Sequence, residues 1–191
     1  MGNEILTYLS RFAPITEEIK KAISESTFIK AYKKGHVLLK EGQVSNECYF
    51  ILKGCIRCFS LEDGEEKTIE IYTEAQSVVP TNYGTSHPSE YYLECVEDTI
   101  LNLGNPEIEK ETFEKYPELE SLSRMIAEKM LLEQHQSFSR FKASTPEERY
   151  LNLVKTRPDL VQRIPLYQIA SYLGVKPESL SRIRKRIMDK E

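Results

Sequence analysis

One stretch near the C-terminus, Pro165 to Ile187, constrains this chain more than any other. Leu166, Ile169, Ala170 and Leu173 recur at helical spacing, Gly174 supplies a stop, and Pro177 suits the first turn of a new helix. On that second helix, at about 100° per residue, Leu180, Ile183 and Ile187 fall on one side. Glu178, Arg182 and Lys185 fall on the other, with Ser181 and Arg186 on its flanks. Two short helices joined in this way make a helix-turn-helix, and the polar outer face suits its second helix to a DNA major groove.

The charge distribution supports that reading where the total does not. The net charge of the 191 residues is −4, which by itself argues against nucleic acid. From Arg140 onward, however, there are twelve Lys/Arg against six Asp/Glu, a net of +6, and the preceding 139 residues carry the balance of −10. A basic tail on an acidic body points to a nucleic-acid-binding end on a module with another task. The length suits one large domain or two small ones, and 40% apolar residues suffice for a core. No apolar run approaches the roughly 18 residues that cross a bilayer, and the N-terminus lacks a signal-peptide pattern, so a cytoplasmic chain with no membrane partner is expected. Four cysteines do not make a disulfide framework, in keeping with a reducing compartment.

Taken in order, residues 4–12 and 16–24 read as short helices, the second capped by Thr16 with Glu17 and Glu18 in its first turn. From Phe28 the pattern changes to short apolar runs between turns. Lys33-Lys34-Gly35-His36 and Lys40-Glu41-Gly42-Gln43 bracket Val37-Leu38-Leu39; residues 48–52, 55–61, 68–72, 91–96 and 99–103 read as strands. Asp63-Gly64 is a strong hairpin signal. Many short strands with Gly at the turns indicate a sandwich or jelly-roll barrel over roughly residues 28–104. Asn105-Pro106 then opens a helix, and a second start at Pro117 runs unbroken to about Ser144. Its stripe of Leu119, Leu122, Ile126 and Met130, widened by Met125, Leu132 and Phe138 and flanked by Lys129, is broad enough to bury one side on the barrel and the other on a second copy of itself. Thr145-Pro146-Glu147-Glu148 is a capping box that opens the last domain. The expected fold is α+β: a β jelly-roll domain with flanking helices over 1–116, a long dimerisation helix over 117–143, and a helix-turn-helix domain over 144–191.

Barrel, long helix and helix-turn-helix in this order resemble the bacterial regulators of the cyclic-AMP receptor protein and fumarate–nitrate regulator (Crp/Fnr) type. The residues that carry the resemblance are Lys34-Gly35 through Glu41-Gly42, Tyr49-Phe50-Ile51-Leu52-Lys53-Gly54, Asp63-Gly64-Glu65, Ile169-Ala170-Ser171-Tyr172-Leu173-Gly174 and Glu178-Ser179-Leu180-Ser181-Arg182. The resemblance implies a homodimeric transcription regulator acting on double-stranded DNA, with RNA polymerase as a further partner. It also places base reading on Glu178 and Arg182. The chemistry agrees, since Arg can take a guanine edge bidentately and Glu can accept from a cytosine amino group. The plain alternative is a surface ion pair between the two, worth about 0.3–0.5 kcal/mol. Lys185, Arg186 and Lys190 are expected at phosphates. Ser179 and Ser181 can do either; Ser179 is grouped with the base-reading residues and Ser181 with the phosphate contacts. Only three residues follow Met188, so the β-hairpin wing found after the recognition helix in many members of the family is expected to be missing.

The resemblance implies an input site as well. Members that bind cyclic AMP use a cassette whose Arg neutralises the cyclic phosphate, and a bound phosphate needs such a cation or free backbone N–H groups. Here the corresponding region, Glu74 to Leu93, contains neither Arg nor Lys. Cyclic AMP is therefore not expected as a ligand. The pocket is either vestigial or holds a less anionic effector lined by Tyr72, Tyr83, Tyr91 and Tyr92, residue types that are more often plain core.

Other sites are discounted. Cys55-Ile56-Arg57-Cys58 has Cys-x-x-Cys spacing, but on a strand its side chains point to opposite faces and sit about 10 Å apart. No cysteine precedes residue 48, which argues against the iron–sulfur cluster of the family's oxygen sensors. His36, His87 and His135 lack metal-ligand spacing, so no metal and no catalytic site are expected. The rival to a DNA-binding regulator is a ligand-sensing module that docks a protein partner through its basic tail.

Overall fold

A computed structural model describes residues 3–189 of the chain. Its β domain is a sandwich of two four-stranded antiparallel sheets, matching the expected jelly-roll class. One sheet runs in the order β1 (Phe28–Tyr32), β8 (Thr99–Gly104), β3 (Cys48–Lys53), β6 (Ser77–Val78). The other runs β2 (Val37–Leu39), β7 (Tyr92–Cys95), β4 (Ile56–Glu62), β5 (Glu65–Tyr72). The Asp63-Gly64 turn joins β4 to β5 with φ of 52° and 81°, the two positive values that a tight hairpin requires. Gly54, between β3 and β4, sits at φ 107°, and a Cβ there would lie 2.5 Å from Thr99 Oγ1, so no other residue fits. Inward-facing Tyr32, Tyr49, Ile51, Ile56, Leu93 and Leu101 close the space between the sheets.

Helices α1 (Asn3–Leu9), α2 (Glu17–Ser26) and α3 (Pro106–Lys115) flank the sandwich. Thr16 Oγ1 accepts from the Ile19 N–H and Asn105 Oδ1 from the Ile108 N–H, as their cap positions predict. Helix α4 (Pro117–Ala143) is 27 residues long. The stripe assigned to self-association divides here. Leu119, Leu122 and Ile126 are buried among Ile5, Leu9, Ile19, Ala22 and Phe50 of the same chain, so they cannot also meet a second copy. Lys129 turns to the same side, its ammonium 4.7 Å from the Phe12 ring centre. Met125, Leu132 and Phe138 remain exposed, joined by Leu131, which lay outside the expected stripe.

The chain closes with α5 (Pro146–Thr156), α6 (Pro158–Arg163), α7 (Leu166–Tyr172) and α8 (Pro177–Met188). The capping box forms as read: Glu148 N donates to Thr145 Oγ1 and Thr145 N to Glu148 Oε2. Tyr150, Leu153, Leu160, Ile164, Ile169, Leu173, Leu180 and Ile183 make one buried cluster, and Cys55, Ile71 and Val96 of the β domain belong to it. The helix-turn-helix therefore shares a core with the sandwich. Polar contacts secure the seam. Thr68 N donates to Ser171 Oγ (2.8 Å), and Arg157 donates to Ile71 O (2.7 Å) and Thr73 Oγ1 (3.2 Å). Arg163 binds Glu74 at 2.9 Å through both terminal nitrogens, the Gly54 carbonyl at 3.0 Å, and Glu97. These carboxylates raise the Arg163 pKa. Burial pushes the Glu74 carboxyl upward, but donation from Arg163 and the Gly54 N–H outweighs it and holds the group below its ordinary value.

Candidate nucleic-acid interface

The turn before α8 is made by Gly174 at φ 70°, a conformation that costs an L side chain. It is pinned from behind. Arg149 donates to Phe141 O and Leu173 O, both at 3.1 Å, with its guanidinium 3.8 Å over the Phe141 ring. Leu180 and Ile183 lock the inner face of α8 into the shared core, and Ile187 packs beside them. What remains is the outer face, where Glu178, Ser181, Arg182, Lys185 and Arg186 are exposed and Ser179 is half-buried.

These side chains differ in how they are engaged. The ion pair between Glu178 and Arg182 does not form. Arg182 Nη2 instead approaches Ser179 Oγ at 3.4 Å, and Glu178 has no ion-pair partner among the described residues. Lys185 is likewise unpaired. Ser181 Oγ donates into its own helix, to Pro177 O at 3.0 Å. Arg186 is held by Glu147 on α5 (2.9 Å), so a phosphate contact there requires this surface pair to open. Lys190 lies outside the described residues. Arg149, Arg157 and Arg163, counted in the basic tail, face inward rather than toward a partner. The tail's excess charge is thus smaller at the surface than in the sequence.

The four tyrosines proposed for an effector pocket do not converge. Tyr72 and Tyr91 pack against the core between the sheets, where Tyr91 Oη accepts from Thr81 N (2.7 Å) and Thr81 Oγ1 (3.0 Å). Tyr92 pairs with Phe59 on the opposite face of its sheet, the rings stacked at 5.0 Å. Tyr83 stands near Cys48 and Glu109, beside α3, where burial drives its pKa up. Opposite faces of one sheet, and for Tyr83 a turn beside α3, break the set. Arg57 is the nearest cation preceding the hairpin; it is 2% exposed and enclosed by Glu66 (2.6 Å) and Glu94 (2.9 Å), with no charge left for a phosphate. Cys55 lies in the shared core and Cys58 between the sheets, each pushed up to about 12 by burial, so the Cys-x-x-Cys pair is divided as its strand spacing predicts. Among the described residues no group of three or more His, Cys, Asp or Glu is placed to hold a metal ion, and no helix is long and apolar enough to cross a membrane.

Comparison with known proteins fits this architecture. Residues 29–115 match the cyclic nucleotide-binding domain family. No curated protein matches the sequence. Among solved structures, the chain is similar to the c-di-GMP responsive global regulator CLP of Xanthomonas campestris, with a TM-score of 0.68 at 15% identity over 90% of this chain and 91% of that one. It is also similar to the catabolite activator protein of Thermus thermophilus, with a TM-score of 0.58 at 17% identity over 96% of this chain and 87% of that one. FixK2 of Bradyrhizobium japonicum gives a TM-score of 0.64 at 19% identity over 86% and 85%. At these identities the likeness shows a shared fold, from sandwich to closing helices.

Proposed function

We propose that the chain is a sequence-specific DNA-binding transcription regulator of the Crp/Fnr type that acts as a homodimer. The observation that carries this reading is the outer face of α8. Its inner face is fixed in a core, while Glu178, Arg182 and Lys185 stand exposed without ion-pair partners among the described residues. Exposed charges of this kind gain from a base edge or a phosphate that supplies the partner the protein does not. In this reading Arg182 takes a guanine edge, Glu178 accepts from a cytosine amino group, and Ser179 orients Arg182 from behind. Lys185 meets phosphate, as Arg186 does once released from Glu147, with Ser181 and Lys190 beside them. Structures of the same fold that are named as a global regulator and a catabolite activator support the assignment. RNA polymerase is the further partner proposed for this role.

The dimer forms on the face of α4 that carries Met125, Leu131, Leu132 and Phe138, opposite the face its own sandwich covers. Cyclic AMP is not the effector. The segment from Glu74 to Leu93 has no cation, Arg57 is spent on two carboxylates, and tyrosine and aliphatic side chains fill the space between the sheets.

Binding to mixed genomic DNA fragments across a salt series tests the assignment. The proposal expects affinity to fall steeply with salt, and Lys185→Ala to weaken all sequences alike and flatten the slope by about one. A chain that ignores DNA at low salt, or a slope that Lys185→Ala leaves unchanged, contradicts it and favours a tail that docks a protein.

A further inference from the structure

A large cavity lies neither between the sheets nor on α8. It is a cleft of about 950 Å³ where the C-terminal half of α4, the end of β5 and the turn after α1 face α5 and α7. This volume falls at the upper end of small-molecule sites, which occur preferentially between domains. Met130, Glu133, Ser137 and Arg140 line it, on the same side of α4 as Leu119, Leu122 and Ile126. The cleft therefore opens away from the exposed face of Leu131 and Leu132, and a second copy on that face leaves it free.

Its charge is unbalanced. Arg11, Lys129 and Arg140 line the cleft and form no ion pair among the described residues. Arg11 and Lys129 rest only over the rings of Tyr8 and Phe12. Arg149 and Arg157 add two guanidinium groups hydrogen-bonded to carbonyls and a hydroxyl, with Glu70 as a charged neighbour of Arg157. Three carboxylates also line the cleft and answer this weakly. Glu148 accepts from the Thr145 N–H and hydroxyl as a helix cap. Glu70 accepts from the Ile71 N–H, and its burial favours the neutral form. Glu133 alone has no such engagement. Five cations around one concave space, three of them without an ion-pair partner among the described residues, are poised for a ligand that supplies several negative charges at once.

We infer that this interdomain cleft binds a small organic polyanion, a molecule carrying two or more phosphate or carboxylate groups. The ligand would contact α4 and the turn after α1 on one side and α5 on the other, bridging the two parts of the molecule. Binding itself does not depend on the DNA reading. Its consequence, control over how α8 is presented, does rest on that reading.

Calorimetric titration of the full chain with tripolyphosphate, ATP and citrate, with inorganic phosphate as control, tests the inference. At least one of the three is expected to bind with one site per chain, more tightly than phosphate, and preference between the phosphates and citrate identifies the headgroup. Lys129→Ala/Arg140→Ala, two exposed positions, should weaken that binding at least tenfold, while Arg182→Ala/Lys185→Ala on α8 should leave it within twofold. Loss in the α8 variant with retention in the cleft variant would assign the anion to the DNA-facing helix and overturn the inference. So would the absence of saturable binding for all three at 10 mM, on the order of a Kd too weak for a built site. DNA binding that survives in the cleft variant leaves the proposed function intact whichever way the titration falls.

Discussion

Two places on this fold are available for recognition, the outer face of α8 and the segment from Glu74 to Leu93 along the sandwich, and the chain has treated them oppositely. On α8, Glu178, Arg182 and Lys185 are exposed and form no ion pair among the described residues, while Leu180 behind them is fully buried. Along the sandwich, no cation remains in the segment, Arg57 is locked between two carboxylates, and Tyr32 and Tyr49 are buried between the sheets. One surface thus presents charge to solvent and the other does not. Fold alone does not carry ligand chemistry; the side chains grafted on it do.

The largest way to break the contrast is to unseat α8. Leu180→Ala removes a fully buried side chain from the shared core and should cost about 2–5 kcal/mol, read by thermal or denaturant unfolding, with DNA binding lost in proportion. A cost below about 1 kcal/mol would mean that α8 is not held by that core. Next is the seam between helix-turn-helix and sandwich. Arg163→Ala strips Glu74 and Glu97 of a shared, partly exposed partner and should cost about 1–2 kcal/mol, raising amide exchange in α6 and α7 about 5- to 30-fold. The same seam predicts a pH response. Glu74 is held below its ordinary value of 4.5, so its contribution is complete above that value and is lost as pH falls through the depressed one. Exchange in α6 should therefore rise on acidification below 4.5 in the native chain and respond less in Glu74→Gln. The smallest expected effect concerns the sandwich itself. Millimolar cyclic AMP should leave the melting temperature and DNA affinity unchanged, and a saturable shift would show that the segment from Glu74 to Leu93 binds it after all.

Much of this was legible because local chemistry agreed with the final packing. Pro177 at the first helical position, Leu180 and Ile183 at helical spacing, the Thr145–Glu148 capping box, Asn105-Pro106 and the Asp63-Gly64 hairpin all stand where their residue types place them. Long-range pairing was not legible. The stripe of Leu119, Leu122 and Ile126 announces burial but not the partner, and α1 and α2 of the same chain supply it. Arg157 and Arg163 read as part of a basic tail, yet their partners Ile71, Thr73, Glu74 and Glu97 come from the sandwich, too distant in sequence for any local pattern to link them. Tyr72, Tyr83, Tyr91 and Tyr92 looked like one pocket because they are near in sequence, but alternate strand positions and separate elements send them to different faces. Short pieces such as β6 and α6 carried too few residues for a period to show. The cleft beside α4 had no sequence signature, since turn, strand and four helices contribute to its walls.

Selection of bound sites from random DNA, run in parallel on the native chain and on Arg182→Ala, tests the central claim most directly. The native chain should select a near-palindrome whose half-sites lie about one helical turn apart. Arg182→Ala should lose about 1–3 kcal/mol and relax one base pair in each half-site, leaving the others intact. Identical selected sequences from the two proteins would contradict the claim that the exposed face of α8 reads DNA.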